Sequence, residues 1–159
     1  MIESVYLSNN FMHDPLIFDM IHVIAVTLSW FITSVMSTPG QPVINDTSFG
    51  SIAVEGQRYE HDIIITLEGQ VKKRKKKLSK SIYGTSHTIS LPEIKYVYQD
   101  HAEGILIGSG QYGMVSLSEE ASEFLERKGC SVLLKKTDEA IEIWNGTGGN
   151  WIGLFHITC

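Results

Sequence analysis

The sequence predicts an α/β domain in which β-hairpins lead into strands separated by helices. Three observations predict it. Between Ser51 and Val71, short β-rich segments are divided by the turn pairs Glu55-Gly56 and Glu68-Gly69, which is hairpin chemistry. From Ser90 onward, helix-start signals alternate with apolar runs, and strands separated by helices imply parallel pairing within a layered sheet. Finally, Ile105-Leu106-Ile107 reads as a buried strand, and Trp151 to Cys159 is apolar on both faces, as an interior strand inserted between others would be.

The elements follow in order. The domain is expected to open near Phe49. Ser51-Ile52-Ala53-Val54 is a strand, Glu55-Gly56 its turn and Gln57-Arg58-Tyr59 its return. Asp62 to Leu67 is a second strand, turned by Glu68-Gly69 into Gln70-Val71 and a basic run. Three such segments in succession suggest an antiparallel meander. Ser79 to Thr88 carries no pattern and reads as irregular. Ser90 then serves as a helix cap, with Pro92 in the first turn and Glu93 three residues past the cap; Ile94, Val97 and Tyr98 supply the apolar stripe. After the strand at Ile105–Ile107 comes a glycine loop, then an extended Met114 to Leu117. Ser118 opens a helix with Ala121, Phe124 and Leu125 inward, and Gly129 ends it. Cys130 to Leu134 is a strand, Thr137 caps a helix through Trp144, and Asn145 to Asn150 is a loop.

Residues before the domain differ from the rest. Ile21 to Met36 is sixteen residues without a formal charge when His22 is neutral, short of the about twenty that a spanning helix wants. Met1 to Asp19 has no Lys or Arg, unlike the basic start of a secretory signal. Three readings stand: a membrane or interfacial helix, a packed or interface helix, and a translated leader ahead of a start at Met36. The expected division is an extension over 1–46, with residues before Met36 dispensable for folding, and one α/β domain over 47–159.

Charge is unevenly placed. The formal net charge is −5, yet six of thirteen basic residues lie in the run Lys72-Lys73-Arg74-Lys75-Lys76-Lys77. A nucleic-acid-binding domain spreads a basic patch over a face, and this run lacks the interleaved aromatics of a stacking platform, so nucleic acid is not favoured. The run reads as a solvated edge that blocks edge-to-edge pairing, with contact to an anion or acidic partner as its alternative. Two cysteines, Cys130 and Cys159, make no disulfide framework, so a reducing, cytoplasmic setting is the default. Membrane contact is expected only through residues 21–36.

Gly108-Ser109-Gly110-Gln111-Tyr112-Gly113 formally fits G-x-G-x-x-G. A dinucleotide site needs a helix starting at that loop and an acidic residue closing the next strand; here the helix waits until Ser118 and Lys135-Lys136 follow the strand. The glycines therefore read first as a strand-end turn. The alternative is a small-anion or metabolite pocket beyond the strand end, formed by Gly108, Ser109, Gly110, Gln111 and Tyr112 with Thr137, Glu139 and Asn145. The histidines and cysteines show no metal-motif spacing, His156 reads as a hydrogen-bonded core histidine, and His61 and His87 as surface or loop residues. No cofactor, catalytic residue or metal ligand is assigned.

Five groups of residues stand in order along the chain from about Phe49: Phe49-Gly50-Ser51-Ile52 with Gly56, Tyr59 and Asp62-Ile63; Ile107-Gly108-Ser109-Gly110; Glu123-Phe124-Leu125 with Lys128-Gly129; Thr137-Asp138-Glu139-Ala140 with Trp144-Asn145; and Leu154 to Cys159. In these the chain resembles the Mth-domain family of small conserved proteins, mostly of unknown function, among them archaeal and bacterial hypothetical proteins, the adipogenesis-associated Mth-domain protein and a mitochondrial complex I assembly factor. The resemblance implies a three-layer α/β fold with a central mixed sheet, flanking helices and an N-terminal β-hairpin layer. It implies no established reaction. The expected role is a non-catalytic binding or assembly module acting through a protein partner or self-association. The alternative is a small-anion or metabolite-binding domain, or an enzyme using the glycine loop.

Overall fold

The computed structural model describes residues 40–159; the apolar segment at 21–36 lies outside them. Ten strands and four helices are present in this part. They are β1 (Ile44–Ser48), β2 (Ser51–Val54), β3 (Gln57–Tyr59), β4 (Ile63–Ile65), β5 (Val71–Lys73), α1 (Lys77–Tyr83), β6 (Thr88–Ile89), α2 (Leu91–Val97), β7 (Gly104–Ser109), β8 (Ser116–Leu117), α3 (Glu119–Arg127), β9 (Ser131–Lys135), α4 (Thr137–Gly146) and β10 (Trp151–His156).

The central sheet has the order β5-β4-β10-β7-β9. β10 runs parallel to β7, and β7 parallel to β9, while β4 is antiparallel to β10 and β5 to β4. The sheet is mixed, as the resemblance implied. β10 is interior, which explains its apolar character on both faces.

Side-chain alternation divides the core in two. Ile64, Ile105, Ile107, Ile152 and Leu154 face one way and pack with Ile94 and Val97 of α2 and Ala121 and Leu125 of α3. Ile63, Ile65, Leu106 and Phe155 face the other way, toward Ala140, Ile141 and Trp144 of α4 and Ile44, Ile52 and Val54 of the first hairpin. With a period of two, neighbouring residues on a strand must serve opposite layers. The helices sit on opposite faces because the chain moves outward from β7 to β9 and then back to β10. A right-handed crossover that reverses direction has to change face.

Most expected elements form with their expected chemistry. Ser90 Oγ accepts from the Glu93 amide and Ser118 Oγ from the Ala121 amide, as N-caps do. Glu55 and Gly56 both have positive φ, 49° and 77°, which is the turn that matches strand twist in a two-residue hairpin.

Four local readings are corrected. A further strand, β1, precedes the one expected at Ser51–Val54, and Phe49-Gly50 turns β1 into it; β1 is Ile-Asn-Asp-Thr-Ser, with too little apolar pattern to announce itself. The meander is split, because β1-β2-β3 form their own sheet while β4 and β5 belong to the central one. Ile63, Ile64 and Ile65 are all buried, so β4 needs cover on both faces. The stretch expected to be irregular holds the short helix α1, ended by Gly84 at φ 69°, and the strand β6. α1 has no side-chain cap, hence no start signal. Thr137 does not cap α4: Lys136 stands at the N-cap, without a side-chain cap bond, and Thr137 is turned into the interior.

Candidate functional site

One end of the central sheet carries a row of polar residues that continues the strand register. Arg74, just past β5, donates its backbone N–H to the Asp62 carbonyl at 2.9 Å. Asp62, just before β4, lies one step beyond the Ile63–Phe155 pair, and its Oδ1 accepts from the Ile157 amide at 3.2 Å. His156 closes β10 opposite Ser109 of β7. Asp62 and His156 are each 1 % exposed and Arg74 3 %.

A buried charge is tolerated only where it is paired and hydrogen-bonded, and this row is connected accordingly. Asp62 Oδ2 accepts from His156 Nδ1 at 2.6 Å and Arg74 Nη1 at 3.2 Å, and pairs with Lys76 Nζ at 3.1 Å. Arg74 also donates from Nε to Glu93 Oε1 at 2.6 Å, and from Nη2 to Glu93 Oε2 at 3.3 Å and to the Ser86 carbonyl at 2.8 Å. The Ser79 hydroxyl donates to Glu93 and accepts from the Ser90 amide. Glu93 is therefore diverted from the reciprocal capping role its position suggested, and Ser79 of α1 fills that role instead.

Burial alone pushes the Asp62 carboxyl up. The hydrogen bond and charge of His156, with Lys76, outweigh burial and hold it at about 2, below the ordinary 3.8. A depressed carboxyl stabilises the fold above its unfolded value and ceases to do so as pH falls through its folded value. Asp62 should thus contribute its full share above pH 3.8 and lose it by about pH 2, a difference of roughly 2 kcal/mol. Urea midpoints across that window should fall for the wild type and be flatter for Asp62→Asn; parallel acid limbs would remove Asp62 as the cause.

The second nitrogen of His156 faces outward from the row. Its Nε2 lies 3.0 Å from Thr158 Oγ1 and 3.9 Å from Cys159 Sγ. Cys159 Sγ is 3.1 Å from Nε2 of His87, and the two imidazoles meet edge to face with centroids 5.6 Å apart. His87 is a loop residue as expected, in the segment just before β6, but it is half-buried and held there beside the parallel β6–β8 pair. His156 is the buried, hydrogen-bonded histidine expected from its apolar strand. Sequence spacing did not expose its partners, because Asp62 reaches His156 only through the pairing of β4 with β10, and His87 arrives separately through β6 and β8. Chemically, a carboxylate-anchored imidazole leaves one nitrogen able to take a proton or a cation, and a thiol stands beside a second imidazole.

The residues of the glycine loop meet at the same end of the sheet, but mostly to bind one another. Gly110 donates to Thr137 Oγ1 at 3.0 Å and accepts from the Thr137 amide at 3.2 Å, and Thr137 Oγ1 donates to the His156 carbonyl at 2.6 Å. The Gln111 amide donates to the Thr158 carbonyl and the Gly113 amide to Gly110. Ser109 Oγ donates to the Lys135 carbonyl. A Cβ on Gly110, at φ +95°, would run into the carbonyl of Cys159, so this turn needs glycine for a close approach of chain to chain. Gly108 packs against Phe155 and Thr137. Tyr112 and Glu139 are exposed. Asn145 lies apart: its side chain accepts from the Ile44 amide at 2.9 Å and donates to the Ile44 carbonyl at 2.8 Å, which fastens β1 to the end of α4.

The basic run is divided. Lys72 and Lys73 continue the exposed edge strand β5, whereas Arg74 is buried in the charged row and is not part of a solvated edge. Lys75 lies over the Tyr96 ring at 3.9 Å, Lys76 pairs with Asp62, and Lys77 begins α1. Together with His61, Asp62 and Leu78, the residues from Lys73 to Lys77 line a cavity of about 490 Å³.

Comparison with known proteins gives a family and a fold. Residues 44–148 match the family described as "Protein of unknown function (DUF498/DUF598)". Among curated proteins, none matches the chain. Among solved structures, the conserved hypothetical protein PH1505 from Pyrococcus horikoshii OT3 is 31 % identical, with a TM-score of 0.69 over 73 % of this chain and 98 % of that one. The structure named MT938 is 31 % identical, with a TM-score of 0.62 over 74 % and 99 %. A Bordetella pertussis protein described as a Mth938-like domain shares the fold at 18 % identity and a TM-score of 0.50, over 74 % and 86 %. No helix among the described residues is long and apolar enough to cross a membrane. With its mixed sheet, hairpin layer and matched span, the chain belongs to this DUF498/DUF598 family of Mth938-like α/β domains, whose function is unknown.

Proposed function

We propose that the chain is a binding module that docks an acidic segment of a protein partner at the end of its basic edge strand. The observation that carries this is the cavity of about 490 Å³ with Lys73, Lys75, Lys76 and Lys77 in its lining. Its only carboxylate, Asp62, is already engaged by Arg74, Lys76 and His156, so the lining keeps a positive excess within a chain whose net charge is −5. Among the described residues, Lys73 and Lys77 have no carboxylate within ion-pair distance. Lysine stems offer apolar walls while their ammonium heads stay hydrated, which suits an acidic side chain on a peptide. β5 is the outer strand of the sheet, and an extended peptide can add to such an edge while pockets read its side chains. The same lysines repel a second copy of this strand.

The test is fluorescence anisotropy with a labelled oligoglutamate peptide and a serine–alanine peptide of equal length. The glutamate peptide should bind, with affinity falling as salt rises. Lys73→Glu/Lys77→Glu should weaken it by about tenfold, since exposed pairs are each worth up to about 1 kcal/mol. Equal binding by wild type and variant, or no preference for the acidic peptide, would overturn the proposal. Binding of pyrophosphate in place of the peptide would move the reading to a small-anion site.

A further inference from the structure

We infer that His87, His156 and Cys159 form a site for one thiophilic divalent cation, with zinc as the ion their chemistry fits. The inference is independent of the peptide reading, which rests on the lysines of the edge strand. One ligand atom from each of the three residues lies within 4.8 Å of the others. A tetrahedral zinc ion with bonds of about 2.3 Å to sulfur and about 2.0–2.1 Å to nitrogen requires sulfur–nitrogen separations of roughly 3.5 Å. The observed values, 3.1 Å to His87 and 3.9 Å to His156, bracket that spacing, and the two imidazole nitrogens lie within 4.8 Å of each other, against the roughly 3.3 Å that a bound ion would draw them to.

The surroundings are those of a ligand set held for use. Asp62 accepts only, so His156 must present its Nδ1 proton to Asp62 Oδ2, and Nε2 is left as the nitrogen that faces the cluster. A carboxylate behind a histidine is the usual means of orienting a metal ligand and raising its basicity. Arg74 fixes both sides at once. It grips Asp62 behind one imidazole and the Ser86 carbonyl immediately before the other, and the His87 carbonyl is itself held by the Ser116 amide at 2.8 Å. Thr158 Oγ1, 3.0 Å from His156 Nε2, would give up that hydrogen bond when an ion enters.

Ligand type decides the metal class. One thiolate and two imidazoles, with no aspartate or glutamate side chain among the three, favour zinc over magnesium or calcium, which take oxygen ligands. On binding, the Cys159 thiol loses its proton and the two imidazoles bind as neutral donors. His87 and Cys159 are half-buried while His156 is buried, so the cluster opens outward. Three protein ligands with one open side is the pattern of a zinc that keeps a water or another ligand in its fourth position.

The test is cobalt(II) substitution of the full chain, read by absorption, with zinc competition to report affinity. The wild type should bind one cobalt with a near-ultraviolet thiolate-to-cobalt band and the intense visible bands of tetrahedral coordination, and zinc should displace it. Cys159→Ser should lose the thiolate band, Cys130→Ser should keep it, and His87→Ala should weaken zinc by at least about tenfold. Cys159 and His87 are only half-buried, so these variants leave the interior packing in place, and circular dichroism melts verify that they fold. Absence of a thiolate band in the wild type, its survival in Cys159→Ser, or weak octahedral spectra would overturn the inference.

Discussion

Arg74→Met is expected to destabilise the protein by about 3–5 kcal/mol, because removing one partner of a buried ion pair leaves the others uncompensated. Arg74 donates to Asp62, Glu93 and the Ser86 carbonyl at the same time, and both carboxylates are 1 % exposed or less. Asp62 keeps Lys76 and His156 after the change, whereas Glu93 keeps only the Ser79 hydroxyl. The stranded charge is therefore mainly that of Glu93. Adding Glu93→Leu in the methionine background should recover much of the loss, since an apolar replacement of a whole buried pair is often neutral. Chemical denaturation of the two variants measures this. A cost below about 1 kcal/mol for Arg74→Met would mean the pairing contributes no more than a surface ion pair does.

Trp144→Ala should cost a similar about 3–5 kcal/mol, the range for removing a large aromatic side chain from a core. Trp144 is 1 % exposed. It meets Phe155 edge to face at 5.8 Å, and its Nε1 donates to the Pro42 carbonyl at 2.8 Å. It also covers Gly153, where even a Cβ would crowd Trp144 and Phe155. The side chain thus joins α4, the middle of β10 and the segment leading into β1. Trp144→Phe should keep part of the packing and lose the hydrogen bond, so its cost should be smaller. Equal melting temperatures for the alanine variant and the wild type would show that the hairpin layer is held by other contacts.

The layers were legible because their signals are local. Ser90 and Ser118 announce helix starts through side chains that bind amides three residues on. Glu55-Gly56 announces a turn through a backbone few other residues adopt. Trp151 to His156 announces an interior strand by being apolar on both faces. The charged end of the sheet was not legible in the same way. Arg74 sits among five lysines and differs from them only in where β5 ends. Asp62 precedes a run of isoleucines, and His156 sits alone in an apolar strand; each is a polar residue where burial is expected, which is the signal that marks them. Their partnership comes from the pairing of strands about ninety residues apart in sequence, and no spacing rule carries it. His87 was less legible still: it lies in the loop just before β6, and the strands whose pairing places it, β6 and β8, are two residues each, a pattern too short to stand out from loop.

The place of β10 also dictates an order of assembly. β4 and β5 form one ladder, β7 and β9 another, and the two share no hydrogen bonds without the strand between them. During synthesis both ladders are made before residues 151–156 emerge, and each then presents a bare edge of Ile63–Ile65 or Gly104–Ser109. Such edges invite pairing with other chains. Sheet closure waits on contacts far apart in sequence, which slows folding. The nascent chain is therefore most exposed to aggregation before residues 151–156 arrive, and β10 then covers both inner edges in a single step, leaving only β5 and β9 as outer edges.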